Sequence, residues 1–136
     1  MRLLETILVV FALSVATVSA QTASGRPRLL GAEIARPNIV VHGAFLSRVE
    51  VWAVPTGTGI TPSEYILLGK AVRSNVAGPK ETWLFRIPPC ATDTRLLATE
   101  IFVQAFDGFG VNIGKKSLPS ANAGASAVHA ALCGAP

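Results

Sequence analysis

The chain is poor in the residues that chemistry uses most. Its 136 residues include two cysteines, two histidines, one methionine and one tyrosine. So few thiols and imidazoles point away from a zinc site, and no cofactor or metal is expected. Charged residues make up only 15 % and hydrophobic residues 50 %, which excludes a disordered chain. No apolar run reaches the roughly 18 residues of a membrane-spanning helix. The length allows one domain, and the net charge of +4 is mild.

What is present begins with an address. Arg2 gives a positive start, and residues 7–16 are apolar except for Ser14. Val18-Ser19-Ala20 then supplies the small-x-small pattern that signal peptidase accepts. Residues 1–20 therefore read as a secretory signal cleaved after Ala20, although Glu5 is unusual in such a segment. A lipoprotein would need cysteine where Gln21 stands. The expected location is secreted, periplasmic or cell-surface, with no transmembrane span after cleavage.

The remaining chain alternates with a period of two. Val49, Val51 and Ala53 alternate with Arg48, Glu50 and Trp52. Trp83, Phe85 and Ile87 alternate with Leu84 and Arg86, and Ile101, Val103 and Ala105 with Phe102, Gln104 and Phe106. Such alternation marks strands with one buried face. Shorter runs lie at 29–34, 38–42, 65–73 and 111–118, separated by turns such as Ala77-Gly78-Pro79 and Asp107-Gly108-Phe109-Gly110. About seven short strands predict an all-β antiparallel sandwich over residues 21–119, with a small closed barrel as the alternative. Residues 120–136 are rich in alanine and other small residues, and predict a flexible, low-complexity tail with at most one or two helical turns over 125–132.

Four segments carry a resemblance. Val49-Glu50-Val51-Trp52, Leu68-Gly69-Lys70-Ala71, Trp83-Leu84-Phe85-Arg86-Ile87-Pro88 and Ile101-Phe102-Val103-Gln104-Ala105-Phe106-Asp107-Gly108-Phe109-Gly110 follow one another in order. Together they resemble the strands of bacterial Ig-like domains. The resemblance covers 49–118 and is weaker over 29–42. The chain departs from it by a longer connection at 55–64 and by Cys90. It implies an Ig-like sandwich acting as an extracellular spacer or binding module, and it implies no catalytic residues. In such a sandwich the segments carrying Cys90 and Cys133 lie at the same pole. An exported chain with two cysteines is then expected to form a Cys90–Cys133 disulfide, the alternative being two free thiols.

Catalytic candidates are sparse. His42 lies near a strand end and His129 in the tail, with no nucleophile elbow to accompany them. Glu33, Glu50, Glu64, Glu81, Asp93, Glu100 and Asp107 are scattered and read as solvated outer-face charges. Glu50 and Glu100 share an outer face but do not make a convincing glycosidase pair. Lys115-Lys116 reads as an edge-strand safeguard or solvated face, and no basic stripe indicates nucleic acid. The chain is therefore expected to be no enzyme.

The outward positions are more informative. If Val49, Val51, Ile101 and Val103 point inward, Trp52, Val54, Phe102 and Phe106 point outward on neighbouring strands. Aromatics grouped on one outer face mark an interaction surface, unless the tail or the 55–64 loop covers them. The expected function is a cell-envelope or extracellular protein-interaction module. A carbohydrate-binding module using the same aromatics is the alternative.

Overall fold

The computed structural model describes residues 25–134, so the expected signal peptide and its cleavage point lie outside the described residues. Within them run eight strands: β1 (Arg28–Ala35), β2 (Asn38–Ala44), β3 (Arg48–Pro55), β4 (Ile66–Lys70), β5 (Val72–Ala77), β6 (Lys80–Arg86), β7 (Ala98–Phe106) and β8 (Asn112–Leu118). They form two four-stranded antiparallel sheets, ordered β1-β2-β6-β5 and β4-β3-β7-β8. Each sheet ends in edge strands, so the molecule is a sandwich and not a closed barrel.

The eighth strand comes from the run at 65–73, which alternation treats as one strand. The chain ascends along β3 with Lys70 opposite Glu50, then continues along β6 with Val72 opposite Leu84. It changes sheets at Ala71, which is buried and donates its N–H to the Val49 carbonyl at 2.8 Å. Every residue of β5 is exposed, so no inward apolar side chain marks where the second strand begins.

The core follows the alternation. Val49, Val51 and Ala53 of β3 and Ile101, Val103 and Ala105 of β7 are buried against Ile39 and Val41 of β2 and Trp83 and Phe85 of β6. Burial of this apolar surface is the main force holding the sheets together. At the β1–β8 side the layers approach so closely that a Cβ on Gly114 would lie 2.9 Å from Leu29 Cβ. The edge strand β8 carries Lys116 opposite Val103, on the inward side by register yet exposed. A charge placed there opposes pairing with another chain.

The C-terminal segment differs from the flexible tail that its composition predicts. Helix α1 (Ala125–Cys133) packs on β7 and on the 3-10 turn Thr94–Leu96. Val128 and Leu132, four residues apart on one helix face, are 0 % and 3 % exposed and belong to the core. A helix this short is marginal alone, and here packing stabilises it. Its last residue, Cys133, forms the disulfide with Cys90, the Cα atoms 5.9 Å apart. The Arg36 guanidinium lies against Gly134, where a cation complements the negative end of the helix.

Candidate functional site

The outer face of the β4-β3-β7-β8 sheet collects the candidate residues. Trp52 pairs with Phe102, Arg48 with Phe106 and Val54 with Glu100 across β3 and β7. Trp52, Val54, Phe102 and Phe106 thus share the side away from the core. Their exposure differs from a bare aromatic face, and Phe102 is the correction: it is only 2 % exposed. The Trp52 ring lies nearly parallel to it, 7° between planes and 6.5 Å between centroids. Tyr65 meets Phe102 edge-on at 5.7 Å, and Lys115 Nζ sits 4.2 Å from the ring centroid. Phe106 lies under the Arg48 guanidinium at 4.1 Å. Such cation–ring contacts are favourable and shield the ring from water.

Tyr65 is the member that sequence reasoning missed. The 55–64 connection between β3 and β4 delivers it. The connection ends in the 3-10 turn Pro62–Glu64. There Glu64 Oε1 accepts from the Thr61 backbone N–H at 3.3 Å, and the Glu64 N–H donates to the Thr61 carbonyl at 2.9 Å. The backbone bond closes the turn and the Glu64 carboxylate caps it, and the turn places Tyr65 over the sheet. Between turn and sheet lies an open groove of about 300 Å³ lined by Trp52, Pro62, Tyr65, Phe102, Gln104 and Lys115. Leu67, opposite Trp52 on β4, extends the apolar surface.

The carboxylates of this face are engaged. Glu50 lies 3.2 Å from Arg48 Nε and accepts from Trp52 Nε1 at 3.2 Å. Glu100 accepts from Ser117 Oγ at 2.6 Å and lies 4.0 Å from Lys115 Nζ. Glu50 thus braces the Trp52 ring and Arg48, and Glu100 lies beside Lys115.

Glu81 overturns its assignment as a solvated outer-face acid. It is 6 % exposed and lies on the inward side of β6 with Trp83 and Phe85. It accepts from the Leu46 backbone N–H at 2.9 Å, Trp83 Nε1 at 3.3 Å and Arg73 Nη1 at 3.1 Å. These partners offset the cost of burying a carboxylate. Its parity with Trp83 is the sequence signal that places it inside.

At the opposite end, Arg95 donates to Asp93 through Nε at 2.9 Å and Nη2 at 2.6 Å. These hydrogen bonds hold the Asp93 carboxyl below its ordinary range. His42 lies on β2, 3.4 Å from Glu33, and His129 lies on α1, so the two imidazoles do not form one site. Among the described residues no three His, Cys, Asp or Glu side chains converge as a metal site. No family model, curated protein or solved structure matches the chain.

Proposed function

We propose that the chain is an exported, non-catalytic Ig-like module that binds a protein partner through the outer face of the β4-β3-β7-β8 sheet. Lettered A, B, C, C′, D, E, F and G in chain order, the strands run A-B-E-D in one sheet and C′-C-F-G in the other. That order supports an Ig-like sandwich with one added strand. The Cys90–Cys133 disulfide supports residence in an oxidising compartment.

The observation that carries the binding role is the groove between Trp52 and Tyr65, floored by Phe102 and edged by Gln104 and Lys115. Trp and Tyr supply much of the energy of protein interfaces, with a polar rim around them. The ring angles favour protein over sugar. Trp52 is parallel to Phe102 while Tyr65 stands at 68° to it, so Trp52 and Tyr65 do not make one flat stacking platform. Phe102, the parallel ring, is covered.

The test is partner capture by the immobilised protein beside a glycan array, each repeated with Trp52→Ser. The reading predicts a protein retained by the native chain and lost with Trp52→Ser, and no glycan signal that depends on Trp52. Equal capture by both chains would remove the groove from the function.

A further inference from the structure

A second surface lies at the pole formed by the β2–β3, β5–β6 and β7–β8 loops. Phe109 is 94 % exposed at the tip of the β7–β8 hairpin, with Val111 exposed beside it. The β2–β3 loop projects Phe45, and the top of β5 carries exposed Val76. The β2–β3 loop and the β7–β8 hairpin are joined where the Ser47 N–H donates to the Phe106 carbonyl at 2.9 Å.

These apolar side chains are held out by design of the backbone around them. Asp107 Oδ1 accepts from the N–H groups of Phe109 and Val111, both at 2.9 Å. Gly110, at φ +79°, makes the reversal a side chain would resist. Phe45 sits at φ +55°, a region disfavoured for a bulky residue, and the next N–H, that of Leu46, is bound by buried Glu81. Two carboxylates thus fix two loops, and each loop presents a phenylalanine to solvent. Aromatic tips held rigidly lose little freedom when they bind.

The charge around them selects the partner. Arg28, Lys70 and Lys80 are exposed here and have no carboxylate within ion-pair distance among the described residues. Arg48 and Arg73 are paired with Glu50 and Glu81. Asp107 is committed to the hairpin backbone. Between the loops an open cleft of about 360 Å³ is bordered by Ser47, Arg48, Lys70, Asp107 and Gly108. Apolar side chains on two loops and at the end of β5, together with unpaired cations, suit a planar surface that is apolar beneath and anionic above.

We infer that this pole docks end-on to an anionic lipid bilayer, with Phe109 and Val111 entering the interface and Lys70, Lys80 and Arg28 meeting the headgroups. This surface shares no residue with the Trp52 groove, and the inference stands or falls without it.

The experiment is co-sedimentation of the disulfide-bonded protein with vesicles of phosphatidylcholine plus phosphatidylglycerol, and with phosphatidylcholine alone. Binding to the anionic vesicles is expected to exceed binding to the neutral ones by at least about tenfold and to weaken with salt. Phe109→Ser should reduce it by about tenfold, since the ring touches little else in the fold. Lys80→Ala should reduce it by roughly fivefold. Trp52→Ser should bind as the native protein does. Absent vesicle binding at low salt, or equal binding by native and Phe109→Ser protein, would overturn the inference. Retention of an acidic protein by this pole in the absence of vesicle binding would likewise count against it.

Discussion

The carboxylate of Glu81 and the backbone N–H of Leu46 meet at 2.9 Å across 35 residues of chain. The bond ties β6, in one sheet, to the loop through which the chain crosses from β2 to β3 in the other. The same oxygen receives Trp83 Nε1, and the second oxygen receives Arg73. One buried acid therefore orients a core indole and fixes the β2–β3 loop.

Removing that acid is costly because its donors stay behind. Glu81→Ala is expected to destabilise the domain by about 1.5–3 kcal/mol, the range for hydrogen bonds to a charged group. The ion-pair part is small because the Arg73 side chain is half exposed. Glu81→Gln should lose less, since its carbonyl still accepts from Leu46. Urea denaturation measures both, and a loss under about 0.5 kcal/mol for the alanine variant would contradict the network.

The docked helix changes what the disulfide does. A bridge across 43 residues is worth about 4 kcal/mol on the chain-entropy argument, provided the native ends are already held together. Val128 and Leu132 hold them. Reduction should lower the melting temperature substantially, and Leu132→Ala should cost about 2–5 kcal/mol even in the oxidised protein. A negligible effect of Leu132→Ala would mean the helix does not pack as described.

Trp52 and Phe102 are stacked neighbours with different duties. Phe102→Ala should cost about 3–5 kcal/mol because a buried aromatic leaves a cavity. Trp52→Ser, at a half-buried surface position, should cost distinctly less and act mainly on binding. Thermal melts of the two variants separate these outcomes, and equal losses would place Trp52 in the fold's support.

Acid should weaken the pole that carries Asp93 and Arg95. The folded-state carboxyl is depressed by its hydrogen bonds to Arg95. Its contribution is therefore fully present above the ordinary aspartate range and is lost as the pH falls through the depressed value. Asp93→Asn should remove that part of the acid sensitivity. Stability measured against pH for both chains tests this, and identical acid limbs would exclude the pair as a contributor.

The alternation of Val49, Val51, Ile101 and Val103 made the sandwich legible, because a period of two encodes a buried face directly. The sheet change at Ala71 was not legible, since β5 has no buried residue to reset the pattern. Helix α1 was hidden by its composition: only Val128 and Leu132 anchor it, and the surface receiving them comes from Leu96 and β7, distant in sequence. Parity put Phe102 on the outer side correctly, but its cover is non-local. Tyr65 arrives from a loop and Lys115 from β8, and neither contact is encoded near Phe102. Glu81 was readable from its parity with Trp83, had its charge not argued for solvent.

The central claim is that the Trp52–Tyr65 groove meets a protein partner in the exported molecule. The most direct test is photo-crosslinking in intact cells, with a benzophenone amino acid at Trp52 and, separately, at exposed Arg86 on the opposite sheet. The account predicts a discrete protein adduct from position 52 and none from position 86. No adduct from 52, or the same adducts from both positions, would contradict it.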